Sequence, residues 1–330
     1  MSIGKKSTVL VLAILAMGGL RMPFEAALTD ELDDAGLLPP RLEVRTGEKI
    51  GQTFSAVSLG GLRTLVATFL NLRAFHFFSE QKWADVGEAF DIIVDLAPRT
   101  TYYWDTGSWH QAYNAAAFFL YESKLPPLRR KQEWRNSILK GKAFLERGIR
   151  NNPSDARLRE TLGVLLQDSN KIAAFESPAK AFEEAYHAFL DAVKTGNARS
   201  YAERAALYAL ARVPGREGEA LALALKIQGE QPRIPPTVRG LLFTLKAHAD
   251  PKQDVLALAD SLFTERAAAY DTLGNQWLRT RDYFPVDGIA RVLPLLEKEL
   301  GIAPEKSFLK MKLQSPMDPD EDTLRYQNSR

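Results

Sequence analysis

The sequence contains no cysteine, and this absence removes several classes of function at once. Without a thiol, the chain can form no disulfide, no thiolate metal site and no cysteine nucleophile, and it cannot carry lipid on a lipobox cysteine. An excess of one charge is lacking too, because 43 Lys and Arg residues are offset by 41 Asp and Glu residues. A chain without a strong positive field attracts phosphate backbones poorly, so we expect no nucleic-acid binding.

Motifs that carry catalytic or metal chemistry are also lacking. The sequence has no Walker loop, no GxGxxG and no GxSxG elbow. Its four histidines show no HExxH spacing; they are His76, His110, His187 and His248. We therefore expect no metal, no cofactor and no catalytic residue, and hence a protein that is not an enzyme.

The N-terminus carries an export signal, assigned here to residues 1–24. Two lysines precede thirteen residues without a charge, Thr8–Leu20, and Arg21 follows them. Cleavage after Gly18 is one outcome. Retention as an inner-membrane anchor is the other, although thirteen residues rise only about 20 Å against a hydrocarbon layer of ~30 Å.

Both outcomes place the body of the protein outside the cytoplasm, either anchored in the inner membrane or secreted to the periplasm. A buried N-terminal helix of a cytosolic protein is the remaining interpretation. A second apolar run, Val57–Phe78, contains Arg63, Arg73 and His76. Charges at mid-bilayer are costly, so this run is predicted to form a long helix buried in protein.

Beyond Gly51, apolar-periodic segments of helical length alternate with Pro, Gly and Asn breaks, which indicates an all-α fold of antiparallel helix pairs. The polar, acidic end of the chain shows no periodicity and is predicted to be disordered. The predicted divisions after the export signal are an N-terminal arm (25–50), helical repeats (51–232), a C-terminal helical capping region (233–301) and a disordered acidic tail (302–330).

The clearest repeat unit runs from Ala67 to Pro98. Its helical positions alternate large, small and aromatic residues before a closing proline; they are Leu70, Ala74, Phe77, Trp83, Val86, Phe90, Ile93 and Leu96. This pattern resembles the tetratricopeptide repeat. The resemblance implies a right-handed α-solenoid over residues 51–232. Later units, such as the one that opens with Leu162 and Gly163, match only if insertions are granted, so a non-repetitive helical bundle stays open as the alternative.

The segment Tyr102–Asn114 is dense in aromatic and polar residues and invites an active-site interpretation. Asp105, Ser108 and His110 are the residue types of a hydrolytic triad. On a helix, however, Ser108 lies about 300° and His110 about 140° around the axis from Asp105. Helical geometry therefore points the three side chains apart.

The tetratricopeptide register implies instead that this segment is the first helix of a second unit. The positions that the register turns toward the concave groove are Thr68, Asn71, Phe75, Phe78, Tyr102, Asp105, Trp109 and Tyr113. Aromatic side chains with polar groups among them are enriched where a protein binds a peptide or another protein. Filling of the core between the first units is the competing interpretation of the stripe Tyr102, Trp109 and Tyr113.

These observations favour a non-enzymatic scaffold or adaptor of a bacterial cell-envelope assembly, such as a secretion, transport or pilus-like complex. It would bind another protein or peptide through the aromatic groove and the membrane through its N-terminal helix. Two alternatives stay open. One is an α-helical envelope hydrolase acting on carbohydrate, which requires a deep pocket with a buried carboxyl group of raised pKa. The other is a structural spacer, which requires a tight homo-oligomer; the oligomeric state itself is left undetermined.

Overall fold

The structure, a computed structural model, describes residues 63–230, 233–281 and 284–311, together with the single positions Leu20, Pro23 and Ala27. These residues contain α-helices and no strand, which confirms the prediction of an all-α protein. The predicted export signal, apart from Leu20 and Pro23, lies outside the described residues, as does the tail beyond residue 311. Within the described part, no helix combines the length and the apolar character that crossing a bilayer requires.

The helices follow one another with short connections. They are α1 (Arg63–Ser79), α2 (Trp83–Leu96), α3 (Thr101–Trp109), α4 (Pro127–Asn151), α5 (Ala156–Leu166), α6 (Pro178–Lys194), α7 (Ala202–Leu210), α8 (Glu217–Glu230), α9 (Pro236–Ala249), α10 (Val255–Leu262), α11 (Arg266–Thr280) and α12 (Asp287–Leu300). Two π-helical stretches, His110–Ala115 and Phe118–Glu122, lie between α3 and α4. Single 3₁₀ turns occur at Ile172–Ala174 and Pro304–Lys306.

The chain divides into two units, and the first comprises residues up to His110 with Arg150–Pro153. Here α1 packs on α2 and α2 packs on α3. The two buried residues of α1, Ala67 and Ala74, are small and seven positions apart, so one face of α1 approaches its neighbour closely. On α2 the large residues of the repeat pattern are buried, namely Trp83, Val86, Phe90 and Ile93.

The turn after α2 is held by the carbonyl group of Pro98. This oxygen accepts hydrogen bonds from the Trp104 indole nitrogen at 2.8 Å and from the Asn152 side-chain nitrogen at 2.9 Å. Arg99 donates to the carbonyl oxygen of Asn151. The predicted closing proline of the first repeat therefore lies where the chain turns, and its carbonyl has partners that replace the lost helical ones.

The second unit comprises residues 111–149 and those from Ser154 onward. From α5 to α9, each helix packs on the next. The α5–α6 contact is close, because a Cβ atom added at Gly163 would lie 2.7 Å from the ring of Phe189. On α5 the carboxylate of Glu160 is buried, and it accepts hydrogen bonds from the Arg199 backbone at 2.7 Å and the Tyr201 hydroxyl at 3.2 Å.

Packing becomes non-sequential at the C-terminal end, where α9 contacts α11 and α12 as well as α10. Residues 302–311 belong to the stretch predicted as a disordered tail, yet Ile302, Phe308 and Leu309 pack against this helical cluster. The Phe308 ring lies 5.0 Å from the ring of Tyr270. Order at the C-terminal end therefore extends at least to Leu309, because aromatic contacts continue after the last helix.

Candidate partner-binding surface

Helix α1 is apolar on two opposite faces, and only one of them is buried. Leu65, Phe69 and Leu72 recur at i, i+4 and i+7 on the face opposite Ala67 and Ala74, and all three are exposed. The prediction of a helix buried in protein is therefore wrong for Arg63–Ser79. A single neighbouring helix, α2, covers the alanine face, and among the described residues nothing covers the other.

Among the residues that the structure describes, exposed Phe, Tyr and Trp side chains occur in the first unit. Within the described residues four are exposed: Phe69, Phe75, Tyr102 and Trp109. Phe75 is exposed to 70% and Trp109 to 52%. Three of the four are residues that the sequence placed in a groove, whereas Phe69 was missed. We call these four side chains, with Leu65 and Leu72, the aromatic surface.

Phe78 connects α1 to α3 beneath this surface. Its ring lies 6.2 Å from Phe75, 5.4 Å from Trp83 and 5.0 Å from His110, measured between ring centroids. His110 also lies 5.4 Å from Phe90. The structure thus brings together Phe75 and Phe78 with the end of α3, next to Trp109, while Tyr102 lies at the other end of α3.

The polar members of the predicted groove differ in accessibility. Asn71 and Asp105 are half-buried, and Thr68 is exposed and donates its hydroxyl hydrogen to the carbonyl of Thr64 at 2.9 Å. Ser108 is only 1% exposed. A hydroxyl group in that position cannot meet a substrate without local opening of the unit, which agrees with the helical angles that separate Asp105, Ser108 and His110.

Charged side chains border the aromatic surface at the C-terminal end of α1. The Arg73 guanidinium lies 5.4 Å from the centre of the Phe77 ring. Glu80 pairs with His76 at 3.3 Å and with Lys82 at 2.7 Å. The hydrogen bond from Lys82 lowers the pKa of Glu80, so the carboxylate stays ionised. The surface is therefore apolar in the middle and charged at its edge.

Burial lowers the pKa of His110 below its ordinary value. The imidazole lies between the rings of Phe78 and Phe90, where a charge would lose its hydration. His110 is consequently neutral at pH 7. Its contribution at this position is a flat ring that fills space between α1, α2 and α3.

Tyr113 belongs to the second unit and has different surroundings from Tyr102 and Trp109. It is half-buried in the π-helical stretch, and the Lys171 ammonium lies 4.3 Å from its ring centre. Lys171 in turn lies 3.9 Å from Asp168. Burial, together with the charge of Asp168, raises the pKa of Tyr113 to about 12, and burial lowers the pKa of Lys171.

The second unit also has an open depression of about 370 Å³. Its lining residues include no carboxylate and no tryptophan; they are Gln167, Tyr201, Arg204, Ala205, Tyr208, Pro235 and Thr237. A carbohydrate hydrolase would need paired carboxyl groups at such a site. Among the described residues, no three His, Asp or Glu side chains are grouped so that they could hold a metal ion.

Comparisons with protein-family models, with curated proteins and with solved structures found no match for this chain. The resemblance to the tetratricopeptide repeat thus rests on the residues of the first unit and on the packing of neighbouring helices.

Proposed function

We propose that this protein is a non-enzymatic, tetratricopeptide-like α-solenoid that acts as a scaffold in a bacterial cell-envelope assembly. In this proposal it is exported by its N-terminal segment and binds an amphipathic helix of a partner protein on the aromatic surface. The export pattern of residues 1–24 and the paired helices of residues 63–230 support the location and the architecture. The exposed aromatic side chains of the first unit carry the binding proposal.

These aromatic side chains indicate a binding surface because several of them are exposed in the same unit. A single exposed apolar residue is ordinary on a protein surface, whereas a contiguous apolar patch bordered by charges is typical of an interaction site. Phenylalanine, tyrosine and tryptophan supply large rigid contacts, and tryptophan and tyrosine dominate binding energies at interfaces. The aromatic surface supplies four exposed aromatic side chains on α1 and α3 of one unit, and the charged side chains of Arg73, Glu80 and Lys82 lie near the C-terminal end of α1.

The outward stripe of α1 indicates which kind of partner fits. Leu65, Phe69 and Leu72 form a row at helical spacing, and such a row packs into the grooves of a second helix. Arg73 is exposed and lies about 80° around the helix axis from Leu65, beside the row. Its charge favours a partner helix that carries leucines or aromatics along one face and acidic residues beside them.

Photocrosslinking in living cells tests this proposal. p-Benzoylphenylalanine replaces Phe75 in one variant and Leu225, an exposed leucine on α8, in a matched control. We expect the Phe75 probe to capture one dominant protein of different mass from the chain, and the Leu225 probe to capture none.

Three outcomes would contradict the proposal that this chain is a scaffold that binds a different protein. A Phe75 crosslink to a second copy would favour the structural-spacer interpretation. The same captured protein from both probe positions would show that the aromatic surface has no special role. No crosslink above background from Phe75 would remove the binding proposal.

A further inference from the structure

The connection that leads into α4 has a composition unlike the rest of the surface. Residues 123–132 hold four cations and no carboxylate; the cations are Lys124, Arg129, Arg130 and Lys131. Lys124, Arg129 and Lys131 are exposed, whereas Arg130 is buried. We call residues 123–131 the basic tip.

Leucines project from the same tip. Leu128 is 80% exposed, the highest value for a large apolar side chain among the described residues, and Leu125 is exposed as well. Such exposure of a leucine flanked by cations is not explained by packing inside the protein. It places apolar and positively charged groups side by side at one point of the surface.

The backbone holds this tip in one shape. Pro126 and Pro127 restrict its torsion angles, and Pro127 is the first residue of α4. The Ser123 backbone donates a hydrogen bond to Phe118 at 2.9 Å, and the Arg130 backbone donates one to Pro126 at 2.9 Å. A tip that is already ordered loses little conformational entropy when it docks.

We propose that the basic tip docks on an anionic phospholipid surface, with Leu128 and Leu125 in the headgroup region and the exposed cations on lipid phosphates. Charge complementarity supports this occupant, because each cation near an anionic membrane adds about a factor of five to binding. Arg129 is exposed and pairs with the half-buried Glu133 at 3.6 Å, a distance at which a surface ion pair is weak. Two leucine side chains have far less surface area than the about 800 Å² that each partner buries in a specific protein interface, so a protein partner is disfavoured.

A fluorescent label on the tip tests the proposal in the full chain. Because the chain lacks cysteine, Leu128→Cys provides a single thiol for an environment-sensitive nitrobenzoxadiazole label. Leu225→Cys is the matched control, since Leu225 is 43% exposed and the neighbouring Lys226 is paired with Glu203 at 2.8 Å. The readout is the label's emission and its quenching by nitroxide lipid, not co-flotation, because the N-terminal run alone would tether the chain to vesicles.

With phosphatidylglycerol vesicles we expect a blue shift and quenching for the label at residue 128, and neither for the label at residue 225. The shift should be absent with phosphatidylcholine vesicles and lost in 1 M salt, where screening acts over about 3 Å. Lys124→Gln with Arg129→Gln should lower the ratio of docked to undocked tip about thirtyfold. A label at Leu125→Cys provides a second position if the first variant folds poorly.

Other results would overturn the proposal. A label at residue 128 that stays water-like with anionic vesicles excludes docking, and an equal shift with neutral vesicles excludes the charge argument. Equal shifts at residues 128 and 225 would mean general adsorption. A shift without vesicles that grows with protein concentration would assign the tip to a second copy. The basic tip shares no residue with the aromatic surface, so membrane docking of the tip, or its absence, neither supports nor contradicts the proposed function.

Discussion

Replacing Trp109 by alanine separates a binding role from a packing role, and Trp104→Ala provides the control. The two tryptophans lie five residues apart on α3, in one unit. Trp104 is 1% exposed and its indole nitrogen donates to Pro98, whereas about half of Trp109 is exposed. The two variants remove the same side chain from opposite environments.

The expected losses of stability differ about twofold. Trp104→Ala creates a cavity and removes a buried hydrogen bond, so its free energy of unfolding should fall by about 4–6 kcal/mol. Trp109 hides about half of a side chain of roughly 250 Å², a small part of which an alanine would still hide. At about 25 cal/mol per Å², its loss should be about 2–3 kcal/mol, about half of the loss for Trp104→Ala.

Urea denaturation followed by circular dichroism measures these losses, and the yield of the Phe75 crosslink in cells measures binding. If Trp109 anchors the partner, Trp109→Ala should weaken binding by 2 kcal/mol or more, about thirtyfold, while the protein stays folded. Equal destabilisation by the two variants would refute the distinction and assign Trp109 to the core. An unchanged crosslink yield in Trp109→Ala would remove Trp109 from the partner-binding surface.

Three further predictions concern stability. In urea denaturation, Gly163→Ala should lower the free energy of unfolding by about 1–3 kcal/mol because the added methyl group meets the Phe189 ring. Gly218→Ala has no atom within 4 Å of the added methyl group and should raise the free energy of unfolding by up to about 1 kcal/mol. Glu160→Ala should cost about 3 kcal/mol because it removes the buried carboxylate that accepts hydrogen bonds from Arg199 and Tyr201. Glu183→Ala, at a half-buried site, should cost under about 1 kcal/mol, and equal losses in thermal melts would contradict this. Burial lowers the pKa of His110, so as the pH falls the unfolded chain takes up this proton before the folded one does. The melting temperature should therefore be highest above about pH 6.5 and decrease at lower pH. His110→Gln should make that decrease smaller.

Sequence periodicity was sufficient to identify the buried face of α2 but not that of α1. On α2 most apolar residues occupy one stripe, and the repeat-pattern residues Trp83, Val86, Phe90 and Ile93 are buried while Leu96 is half-buried. Helix α1 has apolar residues on two opposite faces, and hydrophobicity alone does not tell which face meets the rest of the chain. The alanines at residues 67 and 74 decide this, because small side chains permit the closest approach of a neighbouring helix.

The stripe Tyr102, Trp109 and Tyr113 shows a second limit of sequence analysis. Its three positions share a face only if every residue turns by about 100°, as in a regular α-helix. The chain is π-helical from His110 to Ala115, where hydrogen bonds run from i to i+5 and each turn is wider. Tyr113 consequently cannot be assigned to the face of Trp109 from spacing, and it contacts Lys171 instead. The amino-acid composition of residues 110–115 does not indicate this change from α-helix to π-helix.

The uncovered stripe of α1 also has a consequence for how much of the protein a cell holds. A row of exposed leucine and phenylalanine side chains is the kind of surface that chaperones and proteases recognise. If a partner protein covers this stripe, as proposed above, copies made without it should be degraded faster than assembled ones. The abundance of this chain should then follow the supply of its partner, so that deleting the partner's gene lowers the chain's steady-state level while its messenger RNA stays unchanged.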